Sequence, residues 1–127
     1  MTDHRDTPVI DFAHLARQTL DDRALANELL ALFENQAARI TAQLVALGAG
    51  EAKTRADLAH TLKGSALAIG AGRAARLAQA YETACATGGG PGAALDDLLA
   101  AMAQVRAAIA GRLAPPSPSP SRDDAGG

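Results

Sequence analysis

The stretch Asp22–Gly50, DRALANELLALFENQAARITAQLVALGAG, decides the fold. Leu25, Leu29, Leu32, Phe33, Ile40, Leu44 and Leu47 recur at three- and four-residue steps, the spacing that gathers apolar side chains on one side of an α-helix. Asp21 and Asp22 supply an N-cap and a negative charge where the helix dipole favours one. Gly48 and Gly50 close the pattern. The predicted helix has about 25 residues and is about 38 Å long.

Working outward, the same period returns on both sides. Upstream, Asp11 to Thr19 predicts a short helix, preceded by a loose arm over residues 1–8. Downstream, a helix is expected from Glu51 to Ile69 with Leu58, Leu62, Leu67 and Ile69 as its large apolar residues. Gly70 and Gly72 break it. Another follows over Arg73 to Ala86, carrying Leu77, Tyr81, Ala84 and Cys85 on one side. Gly88, Gly89, Gly90 and Pro91 make a loop. The last helix carries Leu95, Leu98, Leu99, Met102, Val105, Ile109 and Leu113. From Ala114 onward, APPSPSPSRDDAGG has no core-forming residues, so residues 114–127 are expected to be a disordered, partly polyproline-like tail. The expected fold is all-α: an antiparallel four-helix bundle over residues 9–113 with a short extra N-terminal helix. Aromatic residues are only 2% of the chain, so the core must be Leu, Ile, Val and many Ala, whose small size lets helices approach closely.

Composition also excludes functions. The net charge of −2, with no basic stripe interleaved with aromatics, argues against nucleic-acid binding. The single cysteine, Cys85, allows no internal disulfide and no Cys-based zinc site. No apolar run approaches the ~20 residues needed to span a bilayer. No signal-peptide core precedes Asp11. A cytoplasmic protein is expected, without membrane contact, metal or cofactor, and a monomer.

Of the three histidines, only His60 stands in a distinctive setting, Ala59-His60-Thr61-Leu62-Lys63-Gly64-Ser65. At about 100° per residue, Leu58, Leu62, Ala66 and Ile69 centre on one side of the third helix, and His60 falls nearly opposite. Its outward neighbours are Lys53, Ala56, Gly64, Leu67 and Ala71. Solvated helix faces are usually charged, yet this one is small and apolar. Gly64 costs about 1 kcal/mol against Ala inside a helix, reasonable where something must approach the backbone closely. Lys53, Arg55, Lys63, Arg73 and Arg76 outnumber Glu51 and Asp57 along this part of the chain, a bias that favours a phosphoryl group and an acidic partner. Lys63, three residues from His60, also disfavours the imidazolium form and so helps keep the ring nucleophilic. The plainer alternatives are an incidental surface histidine, a glycine that packs against another helix and a solvated charged face.

The residues Ala59 to Ala71, AHTLKGSALAIGA, resemble the motif of histidine-containing phosphotransfer (HPt) domains: His60, Leu62, Lys63, Gly64, Ser65 and Gly70 occupy its positions. Asp22 to Gly50 is similar to that family's preceding long helix, and Arg73, Leu77 and Glu82 fit its following one, so the resemblance spans roughly Val9 to Leu113. Ala66, Leu67 and Ala68 depart from it, because the family often has polar residues there. The resemblance implies a phosphorelay carrier without kinase activity of its own. His60 would accept a phosphoryl group, Lys63 would neutralise its oxygens, and Ala56, Gly64, Leu67 and Ala71 would dock the partner. Those partners would be receiver domains of response regulators and of hybrid sensor histidine kinases. A non-catalytic helical adaptor is the main rival. A metal bundle would need inward carboxylates or paired histidines, and the sequence has none. A kinase dimerisation domain also carries an outward histidine, but the Pro/Ser-rich end points to a free-standing shuttle. Gly88 to Gly90 lack the Lys-Ser/Thr of a phosphate-binding loop.

Overall fold

The computed structural model describes residues 8–88 and 92–113; the expected N-terminal arm, most of the Gly/Pro loop and the Pro/Ser-rich segment lie outside the described residues. Five helices follow one another: α1 (Phe12–Gln18), α2 (Arg23–Leu47), α3 (Ala52–Ala68), α4 (Gly72–Ala86) and α5 (Gly92–Leu113). Among the described residues there is no strand.

Local chemistry sets the ends. Asp11 and Asp22 cap α1 and α2 in the same way: each carboxylate accepts a hydrogen bond from the backbone N–H three residues on, His14 and Leu25, at 3.0 Å. Between them the chain turns through Leu20 and Asp21, both in the left-handed region. Gly48 stops α2 with φ +56°, and its N–H returns to the carbonyls of Leu44 and Val45. Gly70 does two jobs at the α3–α4 turn. Its φ is +84°, and a Cβ there would lie 2.7 Å from the carbonyl oxygen of Asp11. The start of α1 therefore rests directly on this turn, with the Asp11 N–H donating to the Gly70 carbonyl at 2.9 Å.

The core is layered by side-chain size. Ala59 and Ala66 of α3 and Ala74, Ala75 and Ala78 of α4 are buried, and these two helices form the most extensive pairing in the molecule. Most of the bulk comes from α2 and α5, Leu30, Phe33, Ile40 and Leu44 on one and Leu98, Met102, Val105 and Ile109 on the other, with Leu62 of α3 and Tyr81 of α4 adding to it. Neighbouring pairs are α3 with α4, α4 with α5, α5 with α2, and α2 with α3. An ion pair ties α5 to α2, Arg106 donating to Glu34 at 2.8 and 2.9 Å.

The apolar stripe of α2 proves to be two faces. Ala26, Leu30, Phe33, Ala37, Ile40 and Leu44 point inward. Leu25 and Leu32 are exposed, and Leu29 is half-buried. Each of these three stands one residue, about 100° of rotation, before a core position. Leu29 and Leu32 border an open groove of about 320 Å³ between α2 and α3, closed on the other side by Ser65, Ala68 and Ile69.

Candidate functional site

Helix α3 buries Arg55, Ala59, Leu62 and Ala66, steps of four, three and four residues that place one face in the core. His60 lies away from that face, and its side chain is 66% exposed. Leu67, two turns on, is 52% exposed. Gly64 lies between them and is exposed; a Cβ built on it meets nothing within 4 Å. Gly64 therefore does not serve helix packing. Ala56 is half-buried against the core edge.

Two expectations for this face need correction. Ala71, placed by helical phase beside His60, is completely buried. The helix ends at Ala68, and the positive φ of Gly70 resets the chain direction, so Ala71 becomes the inward N-cap of α4. Arg55, counted among the positive charges around His60, is only 4% exposed. Its guanidinium turns inward to the carbonyls of Ala49 and Gly50 and to the Cys85 thiol. The Lys53 charge is met by Asp57 at 3.2 Å. Lys63 is the cation that the structure sets next to His60 on α3.

Helix α4 supplies what α3 lacks. Both carboxylate oxygens of Glu82 face His60 Nδ1, at 3.4 and 3.3 Å. Lys63 Nζ donates to Gln79 Oε1 at 2.6 Å, and Gln79 Nε2 donates to Thr83 Oγ1 at 3.2 Å. Going from His60 to Lys63 moves three residues forward on α3, and going from Glu82 to Gln79 moves three back on α4. The two helices therefore run in opposite directions in a fixed register.

This geometry has a chemical consequence. An ionised carboxylate only accepts hydrogen bonds, so among the neutral tautomers the contact favours the one whose proton is on the ring nitrogen facing Glu82. That assignment leaves the lone pair on Nε2, the outer nitrogen of an exposed ring. An exposed imidazole nitrogen, a neighbouring ammonium group and a low glycine surface stand side by side, and among the described residues His60 and Gly64 are open to solvent. Gln79 and Glu82 are not among the site residues that the sequence suggests; besides the place of Glu82 in the family-like helix, their signal is a polar i, i+3 pair followed by Thr83 on the outer side of α4.

A family model, the Hpt domain, matches residues 28–111, more than half of the chain. Neither the curated proteins nor the solved structures contain a match. Among the described residues, no helix is long and apolar enough to cross a membrane.

Proposed function

Because the chain belongs to the Hpt domain family, we propose that it carries a phosphoryl group on Nε2 of His60, exchanging it with the aspartates of receiver domains. Hpt domains are histidine phosphotransfer modules of two-component phosphorelays and are carriers, not kinases. The observation that carries the residue-level reading is the exposed His60 ring held at Nδ1 by Glu82, within the matched segment.

In the forward step, Nε2 attacks the phosphorus of a receiver's aspartyl phosphate. The bond from phosphorus to the carboxyl oxygen breaks, an N–P bond forms, and the aspartate leaves as carboxylate. No proton moves, because the attacking nitrogen carries none. The ring becomes positively charged, and Glu82 stands at its Nδ1–H to compensate. Lys63 is close enough along the helix to turn from Gln79 to a phosphoryl oxygen. The reverse step returns the group to another receiver.

Docking follows from shape. Ala56 and Gly64 keep the surface low around the ring, Leu67 offers an apolar contact, and the groove bordered by Leu29 and Leu32 extends this surface across α2. The ring of neighbouring pairs, with opposed α3 and α4, supports reading α2 to α5 as an antiparallel four-helix bundle to which α1 is added. A monomer in the cytoplasm fits this role.

The test is phosphotransfer from phosphorylated receiver domains. Acid-labile, base-stable phosphate should appear on the wild-type chain and be absent from His60→Gln, whose circular dichroism should be unchanged. Transfer to His60→Gln at the wild-type level sinks the assignment; a chain that binds receivers but never takes up phosphate is the adaptor instead. Nitrogen chemical shifts of the imidazole should show protonated Nδ1 in the wild type and a mixture of tautomers in Glu82→Ala.

A further inference from the structure

Lys63 does not wave freely beside His60; it is seated on the neighbouring helix. Its Nζ donates to Gln79 Oε1 at 2.6 Å, and Gln79 Nε2 donates to Thr83 Oγ1 at 3.2 Å. Chemistry fixes the order of these bonds. An ammonium group only donates, so the amide turns its oxygen to Lys63. Its nitrogen is left for the hydroxyl of Thr83, one turn further along α4. Lys63 is half-buried, while Gln79 and Thr83 are exposed.

Helix α4 thus offers two acceptors to α3, a carboxylate and an amide. The carboxylate, Glu82, faces the ring, and the ammonium receives the neutral amide. The distribution matters. A carboxylate would hold Lys63 by charge as well as by a hydrogen bond, whereas a neutral carbonyl holds it by the hydrogen bond alone. A phosphoryl group on Nε2 of His60 would bring negatively charged oxygens, which are stronger acceptors than the amide. Lys63 then has two places to be, and the second exists only while His60 is loaded.

We propose that Gln79, oriented by Thr83, sets how tightly the phosphoryl group is held on His60, by competing with it for Lys63. The inference rests on the reading of His60 as a phosphoryl carrier. Transfer itself is unchanged: the N–P bond forms, the P–O bond to the aspartate breaks, and no proton moves. What changes in addition is the acceptor of one Lys63 hydrogen bond. The gain at the phosphoryl oxygen is reduced by the bond lost at Gln79. A carrier has to release what it accepts, and a seat for the cation weakens the loaded state without removing the cation. Gln79 acts through Lys63 and is a positioning residue.

The test measures an equilibrium on the full chain. A receiver with a long-lived aspartyl phosphate is mixed with the chain, and the division of phosphate between aspartate and His60 is read once exchange is complete. That ratio does not depend on how fast the partners dock. Gln79→Met removes the acceptor and keeps the bulk, so the ratio should move toward His60 by about threefold, the effect of one exposed hydrogen bond. Gln79→Glu adds charge to the seat, so the ratio should move away from His60 by about threefold, the effect of an exposed ion pair. In a Lys63→Ala background neither change should alter the ratio. The side-chain amide resonances of Gln79 should shift when the wild type is phosphorylated, toward their positions in unphosphorylated Lys63→Ala. Met and Glu variants that move the ratio in the same direction, or leave it unchanged, overturn the inference while His60 keeps its role. So do effects that persist without Lys63, or amide resonances that do not respond to phosphorylation. A wild type that takes up no phosphate overturns the carrier reading and this inference with it.

Discussion

Replacing Gly64 separates docking from packing more cleanly than any other change at the site. The residue lies within α3, is exposed, and has no neighbour within 4 Å of a built Cβ. Nothing must move to admit a side chain. Alanine should therefore stabilise the domain by the difference in helix propensity, up to about 1 kcal/mol, and glutamine by somewhat less. For a domain of this size that corresponds to a rise in Tm of up to about 4 °C. Phosphotransfer should move the opposite way in Gly64→Gln. Gly64 is one turn from His60 on the same exposed face, and a receiver has to bring an aspartyl phosphate to within bonding distance of Nε2. A long side chain there holds the partner back, and misplacement by about 1 Å costs about a hundredfold in rate. Thermal melts and timed transfer from a phosphorylated receiver, run on the wild type, Gly64→Ala and Gly64→Gln, check both halves. A Gly64→Gln protein that melts well below the wild type, or that transfers at the wild-type rate, refutes the reasoning.

Lys63→Ala should slow transfer or shorten the phosphohistidine lifetime by about tenfold, the effect of a partly exposed charge-assisted bond worth about 1–2 kcal/mol; if both match the wild type, Lys63 only serves Gln79. Arg55→Met should lower stability by about 2 kcal/mol in urea unfolding, because the Ala49 and Gly50 carbonyls lose their charged donors. Burial, acting against the nearby guanidinium of Arg55, holds the Tyr81 hydroxyl above the ordinary phenol range. The unfolded chain then loses that proton first as pH rises, so the stability this supplies is complete below about pH 10 and declines above it. Melting curves between pH 9 and 11 should show that decline in the wild type and a shallower one in Tyr81→Phe.

Much of this architecture can be read from residue spacing, because helix period and end chemistry are local. Asp22, Gly48 and Gly70 act through their own backbone neighbourhoods, and the 25-residue span of α2 follows from the first two. The outward direction of His60 is equally local, being phase along one helix. Failures occur where phase is broken or where a second helix decides. Ala71 lies beyond a positive-φ glycine, so counting degrees through the turn carries it to the wrong side. Arg55 occupies a core phase of α3, but its charge suggests solvent; only the bare carbonyls at the end of α2 explain why it is inside. Glu82 and Gln79 reach His60 and Lys63 through the register of two helices, which neither helix encodes alone. The exposed leucines of α2 look like core until Ala26, Leu30 and Phe33 prove to be the residues that face inward.

The site is also local in another sense. His60, Lys63, Gln79 and Glu82 all belong to the α3–α4 hairpin, two helices joined by the three residues Ile69 to Ala71. Contacts between elements so near in sequence carry a small loop-closure cost and tend to form early in folding. Alanine faces suit this order, since small side chains interlock without a long search among rotamers. His60 would thus meet Glu82 before α5 arrives to seal the core. Errors or slow steps in docking α2 and α5 would leave that pairing in place. Rate measurements should show this as folding that slows when Ala66 or Ala78 is changed, and as unfolding that accelerates when Ile109 is.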